Sequence, residues 1–463
     1  MRVTQAYRFC LDPTPAQRRR LASHAGAARF ASNWGLAYVK ACLKARAWER
    51  RILGAAVTEV PWSLAALRRE WNADKDRVAP WWAENSKEAY SAGLAALADG
   101  LGAFSDSRAG RRKGRRVGFP RRKRRGRSRE SFRYTTGSFG VSSRTRVQLP
   151  RIGHVRTHEP TVKLARKLEA GQARILSATV SREAGRWHCS FCCRVERSDP
   201  APRRPAQAVG VDVGVRHLAV LSSGERVANP RALGRAGRRL RRLQRRADRQ
   251  RRAANPGCFD ERGRAIPGRR PATRSARLRA TERRIARVYA RARNLPRAAL
   301  CKLSTELAST YGTVVVERLN AAGLCRAGNR GLRRAIHDAS MAELRRQLAY
   351  KCAWRGGALV EAPTLFPSSK TCSGCGAAKA KLSLSERTYR CEACELVIDR
   401  DLNAARNLAA LASVVAASGA ETENARSQTP VRPGAAGLGV DREAGGARVA
   451  RETGTAFERS EAA

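Results

Sequence analysis

Ala208-Val-Gly-Val-Asp-Val-Gly214 is the stretch that decides the fold class of this chain of 463 residues. Apart from one aspartate it consists of apolar residues and glycine, which is the composition of a strand buried on both faces. Thr313-Val-Val-Val-Glu317 has the same character, and its run of β-branched residues predicts a buried central strand. Helical patterns lie between and around these strands, so the sequence predicts an α+β fold.

The segment between the two strands, residues 230–311, has apolar residues at helical spacing among many arginines. It predicts two long basic helices separated by a loop with Asn255-Pro256-Gly257 and Pro267-Gly268, and it predicts that Pro296 interrupts the second helix. Near the N-terminus, Pro13-Thr14-Pro15 predicts the start of another helix. Residues 415–463 are polar and rich in Gly, Ala and Glu, which predicts a disordered tail.

Three carboxylates stand in places where an unpartnered charge is costly to desolvate. Asp212 lies within the first strand, Glu317 ends the second, and Asp401 opens a predicted helix in Asp399-Arg-Asp-Leu-Asn-Ala-Ala405. Two strand carboxylates and one at a helix start can converge on Mg²⁺ ions, which activate water and stabilise the leaving oxygen in phosphodiester hydrolysis. An aspartate at a helix start is also a common N-cap, so the pattern leaves that simpler role open for Asp401.

Two Cys-x2-Cys pairs separated by fifteen residues form the most specific local motif of the chain. The four residues concerned are Cys372, Cys375, Cys391 and Cys394. Four thiolates in this arrangement can close a tetrahedral Zn²⁺ site. Because no fifth donor lies nearby, we expect the zinc to be structural rather than catalytic.

The charge of the chain predicts a polyanionic partner. Lys and Arg together number 93 against 39 Asp and Glu, which gives a formal net charge of +54. This excess excludes an ordinary metabolic enzyme and indicates nucleic acid. Thirteen basic residues and no acidic one lie between Arg108 and Arg129. This run repels itself unless a phosphate backbone neutralises it, and a solvated linker is the alternative interpretation.

Cysteine usage and hydropathy predict the compartment. The chain has 13 cysteines, an odd number, which indicates a reducing environment rather than a disulfide framework. No stretch approaches the roughly 18–20 apolar residues of a membrane span. Met1–Pro13 has no signal-peptide pattern. We therefore expect a cytoplasmic protein without a membrane partner.

Three segments together resemble the parts of a split RuvC nuclease domain: Gly210-Val-Asp-Val-Gly214, Val316-Glu-Arg-Leu-Asn320 and Asp399-Arg-Asp-Leu-Asn-Ala-Ala405. More narrowly, they resemble those of the TnpB (OrfB) family, which is encoded by insertion sequences and related to the type V CRISPR effectors. Further matching segments follow in consistent order over residues 1–414: Tyr7-Arg-Phe-Cys-Leu-Asp-Pro-Thr-Pro-Ala-Gln17, Gly118-Phe-Pro-Arg121, Ser131-Phe-Arg-Tyr-Thr-Thr-Gly137, Ile336-His-Asp-Ala-Ser340, Leu348-Ala-Tyr-Lys351 and Phe366-Pro-Ser-Ser-Lys-Thr-Cys372.

The resemblance implies an RNA-guided DNA endonuclease encoded by a transposable element. Its guide RNA would derive from the transposon end, and the protein would read a short transposon-adjacent motif in double-stranded DNA before the RNA pairs with one strand. Matched residue by residue, the catalytic and magnesium-binding acids are Asp212, Glu317 and Asp401, and the paired cysteines match the zinc ribbon. The family also implies double-stranded and single-stranded DNA partners and a prokaryotic, nucleoid-associated protein, but no particular oligomeric state.

The architecture that the resemblance implies is α+β and two-lobed. It has an RNase H-like (RuvC) nuclease core with an inserted zinc ribbon, and an N-terminal β element interrupted by a helical recognition lobe. The expected bounds are a β-rich wedge-like domain at 1–11 and 117–200, a helical recognition lobe at 12–116, a RuvC-like domain at 206–366 and 396–414, a zinc ribbon at 367–395 and the disordered tail at 415–463.

One departure from the family pattern leaves alternatives open. Many members have an Asp-x-x-His-Lys pattern before the second nuclease motif, and this chain has Ala298-Ala-Leu-Cys-Lys302 there. A nuclease-dead RNA-guided DNA-binding regulator is therefore one alternative, and a transposase performing strand transfer with the same acids is another. Intact acids at all three positions favour the nuclease, and the sequence contains no His-x-His pair of the kind used for single-strand transfer.

Overall fold

The computed structural model describes residues 1–318, 341–363, 366–383 and 386–417. Of these residues, Thr4–Val195 form one compact unit, here called the N-terminal unit. Met1–Val3 together with the described residues from Glu196 onward form another, the C-terminal unit. The motif Ile336-His-Asp-Ala-Ser340 and residues 418–463 of the predicted tail lie outside the described residues.

The N-terminal unit contains one sheet and four helices. Its strands are β1 (Arg2–Asp12), β2 (Ser131–Tyr134), β3 (Gly140–Ser143), β4 (Arg146–Leu149), β5 (Gly153–Thr157), β6 (Ala173–Glu183) and β7 (Arg186–Glu196). Its helices are α1 (Pro15–Ile52), α2 (Leu64–Val78), α3 (Lys87–Arg108) and α4 (Val162–Glu169). The seven strands follow the order β2-β6-β7-β1-β5-β4-β3. Helices α1 to α3 thus form one long insertion between two strands of the same sheet.

Helix α1 begins where the sequence predicts a helix. Thr14 is its N-cap, and Thr14 and Gln17 form a capping box with Pro15 in the first turn. The middle of α1 packs against α3 at very short range, because a Cβ on Gly93 would lie 2.0 Å from the carbonyl oxygen of Ala28. Only glycine permits this approach of the two helices.

The C-terminal unit is built around a five-stranded mixed sheet. Its strands are β8 (Arg204–Asp212), β9 (His217–Leu221), β10 (Arg226–Ala228), β11 (Tyr311–Glu317) and β12 (Ala358–Ala362), in the order β10-β9-β8-β11-β12. Its helices are α5 (Ala232–Ala253), α6 (Ala276–Thr310), α7 (Met341–Trp354) and α8 (Arg400–Ala417). Strands β8, β11 and β12 are parallel, and β9 and β10 are antiparallel to their neighbours. The predicted α+β class is therefore confirmed.

Helices cover both faces of this sheet. On one face, Val211 and Val316 pack in a core with leucines of α6 and α7, among them Leu303 and Leu348. On the other face, Val315 packs with Leu408 of α8. Helix α8 touches β8 so closely that a Cβ on Gly210 would lie 1.9 Å from the carbonyl oxygen of Ala405.

The predicted interruption at Pro296 is wrong, because α6 runs unbroken from Ala276 to Thr310 with the proline inside it. A proline inside a helix costs about 3 kcal/mol. The next turns of α6 bury Leu300, Leu303 and Leu307 in the core, and each buried leucine contributes about 1.5–3 kcal/mol. Burial of the helix therefore outweighs the local cost.

A small two-stranded sheet lies between β12 and α8 in the chain. Its antiparallel strands are β13 (Thr388–Arg390) and β14 (Val397–Asp399). Tyr389, Cys372 and Cys391 form its own buried core. None of the described helices is both long and apolar enough to span a membrane.

Candidate functional site

Asp212 and Glu317 end two neighbouring parallel strands. Val211 of β8 lies opposite Val316 of β11, so the next residues along each strand, Asp212 and Glu317, reach the same edge of the sheet. Successive strand residues face opposite sides, and both valines face the α6–α7 core. Both carboxylates therefore lie on the side of the sheet that α8 covers.

Asp401 lies in the first turn of α8, above the end of β8. Asp399 Oδ1 accepts hydrogen bonds from the backbone N–H groups of Asp401 and Leu402, at 3.0 and 3.1 Å. Asp399 therefore caps the helix and also pairs with Arg226 of β10 at 3.1 Å. The N-cap role that the sequence left open for Asp401 belongs to Asp399, which leaves the Asp401 carboxylate available for other chemistry.

Burial and the neighbouring carboxylates act together on Asp212. Desolvation first, and then the charges of Asp401 and Glu317, raise the pKa of Asp212 from its ordinary value of 3.8 to about 7, against a smaller opposing effect of Arg400. Burial likewise raises the pKa of Glu317. The three predicted acids are thus electrostatic neighbours in the fold.

A divalent cation fits this arrangement on physical grounds. Two desolvated carboxylates and a third charge repel one another, and a cation between them removes that cost. The carboxylate oxygens of Asp212, Glu317 and Asp401 do not all lie within 4.8 Å of one another in the described residues. Mg²⁺ accepts one or two carboxylates and retains several waters, so it does not require such close convergence.

The four predicted cysteines come together in the small two-stranded module. Their sulfur atoms all lie within 4.8 Å of one another, and theirs is the one group of three or more possible metal ligands with this spacing among the described residues. The Cys372–Cys394 and Cys375–Cys391 sulfur separations are 3.6 and 3.5 Å. A tetrahedral zinc site with bonds of about 2.3 Å requires sulfurs about 3.8 Å apart, so the donor set fits Zn²⁺.

One of these thiols is prepared for metal binding. Although burial opposes it, hydrogen bonds from the backbone N–H groups of Cys375 and Gly374 and from the neighbouring thiols lower the pKa of the Cys372 thiol, whereas, against a hydrogen bond from the N–H of Leu396, the neighbouring thiols raise the pKa of Cys394. Because the thiolate is the form that binds metal, the backbone groups favour metal binding at Cys372.

Two asparagines that the sequence did not single out hold this cysteine module on α8. Asn403 is fully buried, donates to the carbonyl oxygen of Thr371 at 2.7 Å and accepts from the N–H of Ser373 at 2.9 Å. Asn407 donates to the carbonyl oxygens of Ser368 and Thr371, each at 2.7 Å. The sequence feature that could have indicated them is their spacing of four residues, which places both on one face of a helix that begins with an acidic residue.

The stretch that departs from the family pattern is part of a buried polar contact between α6 and α7. Lys351 Nζ donates to the carbonyl oxygen of Cys301 at 2.9 Å and to the hydroxyls of Ser304 and Thr305 at 2.7 and 2.8 Å. Burial lowers the pKa of Lys351. The lysine of the Leu348-Ala-Tyr-Lys351 segment therefore fixes the two helices that cover the sheet.

The basic run between Arg108 and Arg129 is anchored rather than free. Asn33 of α1 both donates to and accepts from the backbone of Lys123, at 2.9 and 2.8 Å, and Phe119 packs edge-on against Phe104 of α3 at 5.2 Å. Most arginines of the run remain exposed. The structure therefore presents a fixed positive surface on the N-terminal unit and argues against a solvated linker.

Comparisons with known proteins assign the family. Family models match residues 190–327 (probable transposase), residues 342–408 (Cas12f1-like, TNB domain) and residues 1–47 (helix-turn-helix domain). A protein of Mycobacterium tuberculosis (strain CDC 1551 / Oshkosh), named "Putative RNA-guided DNA endonuclease", is 39% identical over 425 residues, which is 88% of this chain and 86% of that protein. The chain therefore belongs to the TnpB (OrfB) family.

Two further matches are less similar in sequence. A protein of Escherichia coli (strain K12) that also bears the name of an RNA-guided DNA endonuclease is 27% identical over 92% of this chain and 96% of its own length. The cryo-EM structure of a Cas12f1-sgRNA-target DNA complex aligns with 88% of this chain and 99% of that chain, at 15% identity and a TM-score of 0.42.

Proposed function

We propose that this protein is an RNA-guided DNA endonuclease of a transposable element, and that it hydrolyses DNA at a Mg²⁺-dependent RuvC-like site formed by Asp212, Glu317 and Asp401. The observation that carries the proposal is the position of Asp212. It is half-buried at the end of a central strand, where desolvation and two further carboxylates raise its pKa to about 7. Relatives named as RNA-guided DNA endonucleases support the same activity.

The chain's own residues hold the site in place. Strands β8 and β11 fix Asp212 and Glu317, and the cap by Asp399 fixes the backbone of Asp401. Bound there, Mg²⁺ would activate a water and stabilise the leaving oxygen of the phosphodiester. The positive charge of Arg400 opposes the effects of burial and of the carboxylates on the pKa of Asp212, and its guanidinium donates to the carbonyl oxygen of Ser383 at 2.8 Å.

Nucleic-acid partners follow from the charge. We propose that the β-rich domain (1–11 and 117–200) and the helical lobe (12–116) bind a guide RNA from the transposon end and the short adjacent motif in double-stranded DNA. The anchored basic run supports this assignment, because its exposed arginines can contact phosphates without a large ordering cost. The RuvC-like domain (206–366 and 396–414) would receive the single DNA strand to be cut, in the nucleoid of a prokaryotic cytoplasm.

The zinc ribbon (367–395) would support the third acid. We propose that Cys372, Cys375, Cys391 and Cys394 bind structural Zn²⁺. Asn403 and Asn407 hold this module against α8, so zinc binding stabilises the helix that carries Asp401.

A plasmid-depletion assay tests the function. The protein is co-expressed with its native flanking DNA and given plasmids with a target matched to the transposon-end guide beside a randomised flank. The Asp212→Ala protein and a Glu169→Ala protein, changed at an exposed carboxylate at the end of α4, serve as paired controls. We expect Mg²⁺-dependent loss of plasmids that share one flanking motif, with the Glu169→Ala protein active and the Asp212→Ala protein inactive.

The same assay separates the alternatives. Guide-dependent retention of the target without cleavage would contradict the nuclease and favour a DNA-binding regulator, in which case the Ala298–Lys302 stretch is the first to examine. Joined rather than cut DNA would favour a strand-transferring transposase. Depletion that persists in the Asp212→Ala protein would show that the acids are misassigned.

A further inference from the structure

A second candidate site lies in the C-terminal unit, on the hairpin formed by α5 and α6. A cleft of about 490 Å³ opens where the last turns of α5 meet the loop that leads to α6. Arg245, Arg249 and Arg252 line it from one face of α5, at intervals of four and three residues, and the paired side chains of Asp248 and Arg251 complete the helix wall. Phe259 and Gly263 line it from the loop.

In the part of the chain that the structure describes, two arginines of this cleft, Arg245 and Arg249, lack charge partners, whereas Arg251 is paired with the one carboxylate of the lining, Asp248. Helix α5 has ten arginines and a single acidic residue, Asp248, which pairs with Arg251 at 2.7 Å. Within the described parts of the chain, neither Arg245 nor Arg249 forms an ion pair with a carboxylate. Like charges three or four residues apart destabilise a helix by about 0.2–0.5 kcal/mol per pair, so this row of arginines is costly until an anion binds it.

The wall of the cleft opposite the arginines is fixed by hydrogen bonds. Asn255 donates to the carbonyl oxygens of Arg251 and Thr273, at 2.9 and 3.0 Å, which closes the loop onto the end of α5. The backbone of Phe259 forms a β-bridge with Ala265. The ring of Phe259 therefore lies beside the arginines that line the cleft. An arginine face that is only exposed to solvent would require neither this hydrogen-bonded loop nor the ring.

We propose that this cleft binds the phosphodiester backbone of a single nucleic-acid strand, with one base against Phe259. Guanidinium groups recognise phosphate oxygens, and aromatic rings stack on bases that are unpaired. A cleft of this volume accommodates a nucleotide or two but not a duplex. The proposal rests on the proposed function in one respect, because a guided nuclease handles both unpaired RNA and displaced DNA.

Binding of defined oligonucleotides to the full chain tests the cleft without any cleavage step. The probes are a fluorescein-labelled twelve-nucleotide oligo(U) RNA and the matching oligo(dT) DNA, followed by fluorescence anisotropy at several salt concentrations. The test variant is R245A/R249A. The matched control is R238A/R242A, which removes the same charge from exposed positions of the same helix at the same spacing.

We expect R245A/R249A to bind at least about tenfold more weakly than the wild type, and the control to change less than about threefold. The slope of log affinity against log salt should fall by about 1.4 in the cleft variant, since each lost phosphate contact removes about 0.7. F259L should weaken binding about fivefold or more at an unchanged salt slope, because it removes stacking and no charge. Thermal melts confirm that each variant is folded.

Equal losses in the two double variants would overturn the proposal, because the binding would then arise from the overall positive field. Unchanged binding in R245A/R249A would overturn it as well. If R245A/R249A loses affinity for only one of the two probes, that probe identifies whether the cleft binds RNA or DNA. Failure of the proposed nuclease activity would appear only in the cleavage assay, since strand binding here requires neither Mg²⁺ nor Asp212.

Discussion

Asp212 combines two properties that oppose each other in a protein without metal. Its place at the end of β8 removes much of its carboxylate from solvent, whereas the proposed binding of Mg²⁺ requires the carboxylate to be charged. Because its pKa in the folded state is about 7 and its unfolded value is 3.8, folding favours the protonated form. The associated stability is fully present below about pH 4 and is lost as the pH rises through about 7.

The first prediction concerns this residue. In EDTA, the melting temperature of the wild-type protein should fall as the pH rises from about 5 to about 8, and Asp212→Asn should flatten that fall. The free energy of unfolding involved is about 3 kcal/mol between pH 5 and pH 8. Differential scanning fluorimetry measures it, and Mg²⁺ should restore more stability at pH 8 than at pH 5 in the wild type only. Parallel pH profiles for the two proteins would contradict the prediction.

A second carboxylate, Glu88, shows the opposite behaviour. It accepts hydrogen bonds from the N–H and hydroxyl of Thr135, at 2.7 and 2.5 Å, and from the N–H of Thr136 at 3.2 Å. Burial opposes its ionised form, but these hydrogen bonds prevail and lower the pKa of Glu88. The contact joins α3 to the turn after β2, which explains the two threonines in the Ser131–Gly137 segment.

The second prediction follows from that contact. Glu88→Gln should destabilise the N-terminal unit by about 1–3 kcal/mol at neutral pH, since a charged acceptor of several hydrogen bonds is lost. Because folding lowers the pKa of Glu88, the wild-type advantage should be lost as the pH falls below the ordinary glutamate value of 4.5 and the carboxylate takes up its proton. Urea denaturation at pH 7 and at low pH measures both effects. Glu84→Gln, at an exposed position nearby, should have little effect.

At the scale of elements, the sequence predicted the strands and helices whose signals are local. Strands β8 and β11 were recognisable from their β-branched composition, and the start of α1 from Thr14 and Pro15. The parallel pairing of β8 with β11 depends on contacts distant in sequence. Spacing alone could not decide between Asp399 and Asp401 as the helix cap, because the decision depends on the backbone geometry at the end of β14.

The contact between the cysteine module and α8 could not be predicted from the sequence either. Asparagine is typical of turns and caps, so the spacing of Asn403 and Asn407 could indicate a shared helix face but not that Asn403 is buried. Its burial follows from the carbonyl of Thr371 and the N–H of Ser373, which belong to the cysteine module and would otherwise lack partners beneath α8. Similarly, Pro296 looked like a helix end because burial of the helix around it is a tertiary effect.

The third prediction is that Asn403→Ala accelerates zinc loss. Removing the side chain leaves a buried carbonyl and N–H without partners, which costs about 1–3 kcal/mol and loosens the module. Zinc release into a chromogenic chelator should be several-fold faster than in the wild type. Asn33→Ala, which breaks a comparable two-way contact in the N-terminal unit, should leave the rate of zinc release unchanged. Equal rates for all three proteins would contradict the assignment.

At the scale of the whole molecule, the dominant property is the excess of positive charge. A net charge of +54 is far more than the folded units need for solubility, and it is spread over the basic run and over α5. The fourth prediction is that binding of a structured RNA falls by at least about a thousandfold between 50 and 200 mM salt, as for a protein with six or more phosphate contacts. Filter binding measures it, and a shallow salt dependence would contradict a backbone-reading role.

The junction between the cysteine module and the sheet has a consequence for how such chains can change length. Strand β14 ends at Asp399 and α8 begins at Arg400, so no linker residue separates the strand from the helix. A residue inserted between Asp399 and Asp401 would turn the helix by about 100° relative to the strand and carry the acid off its edge of the sheet. Insertions and deletions in natural variants should therefore gather among residues 380–387, which precede the register-paired strand β13.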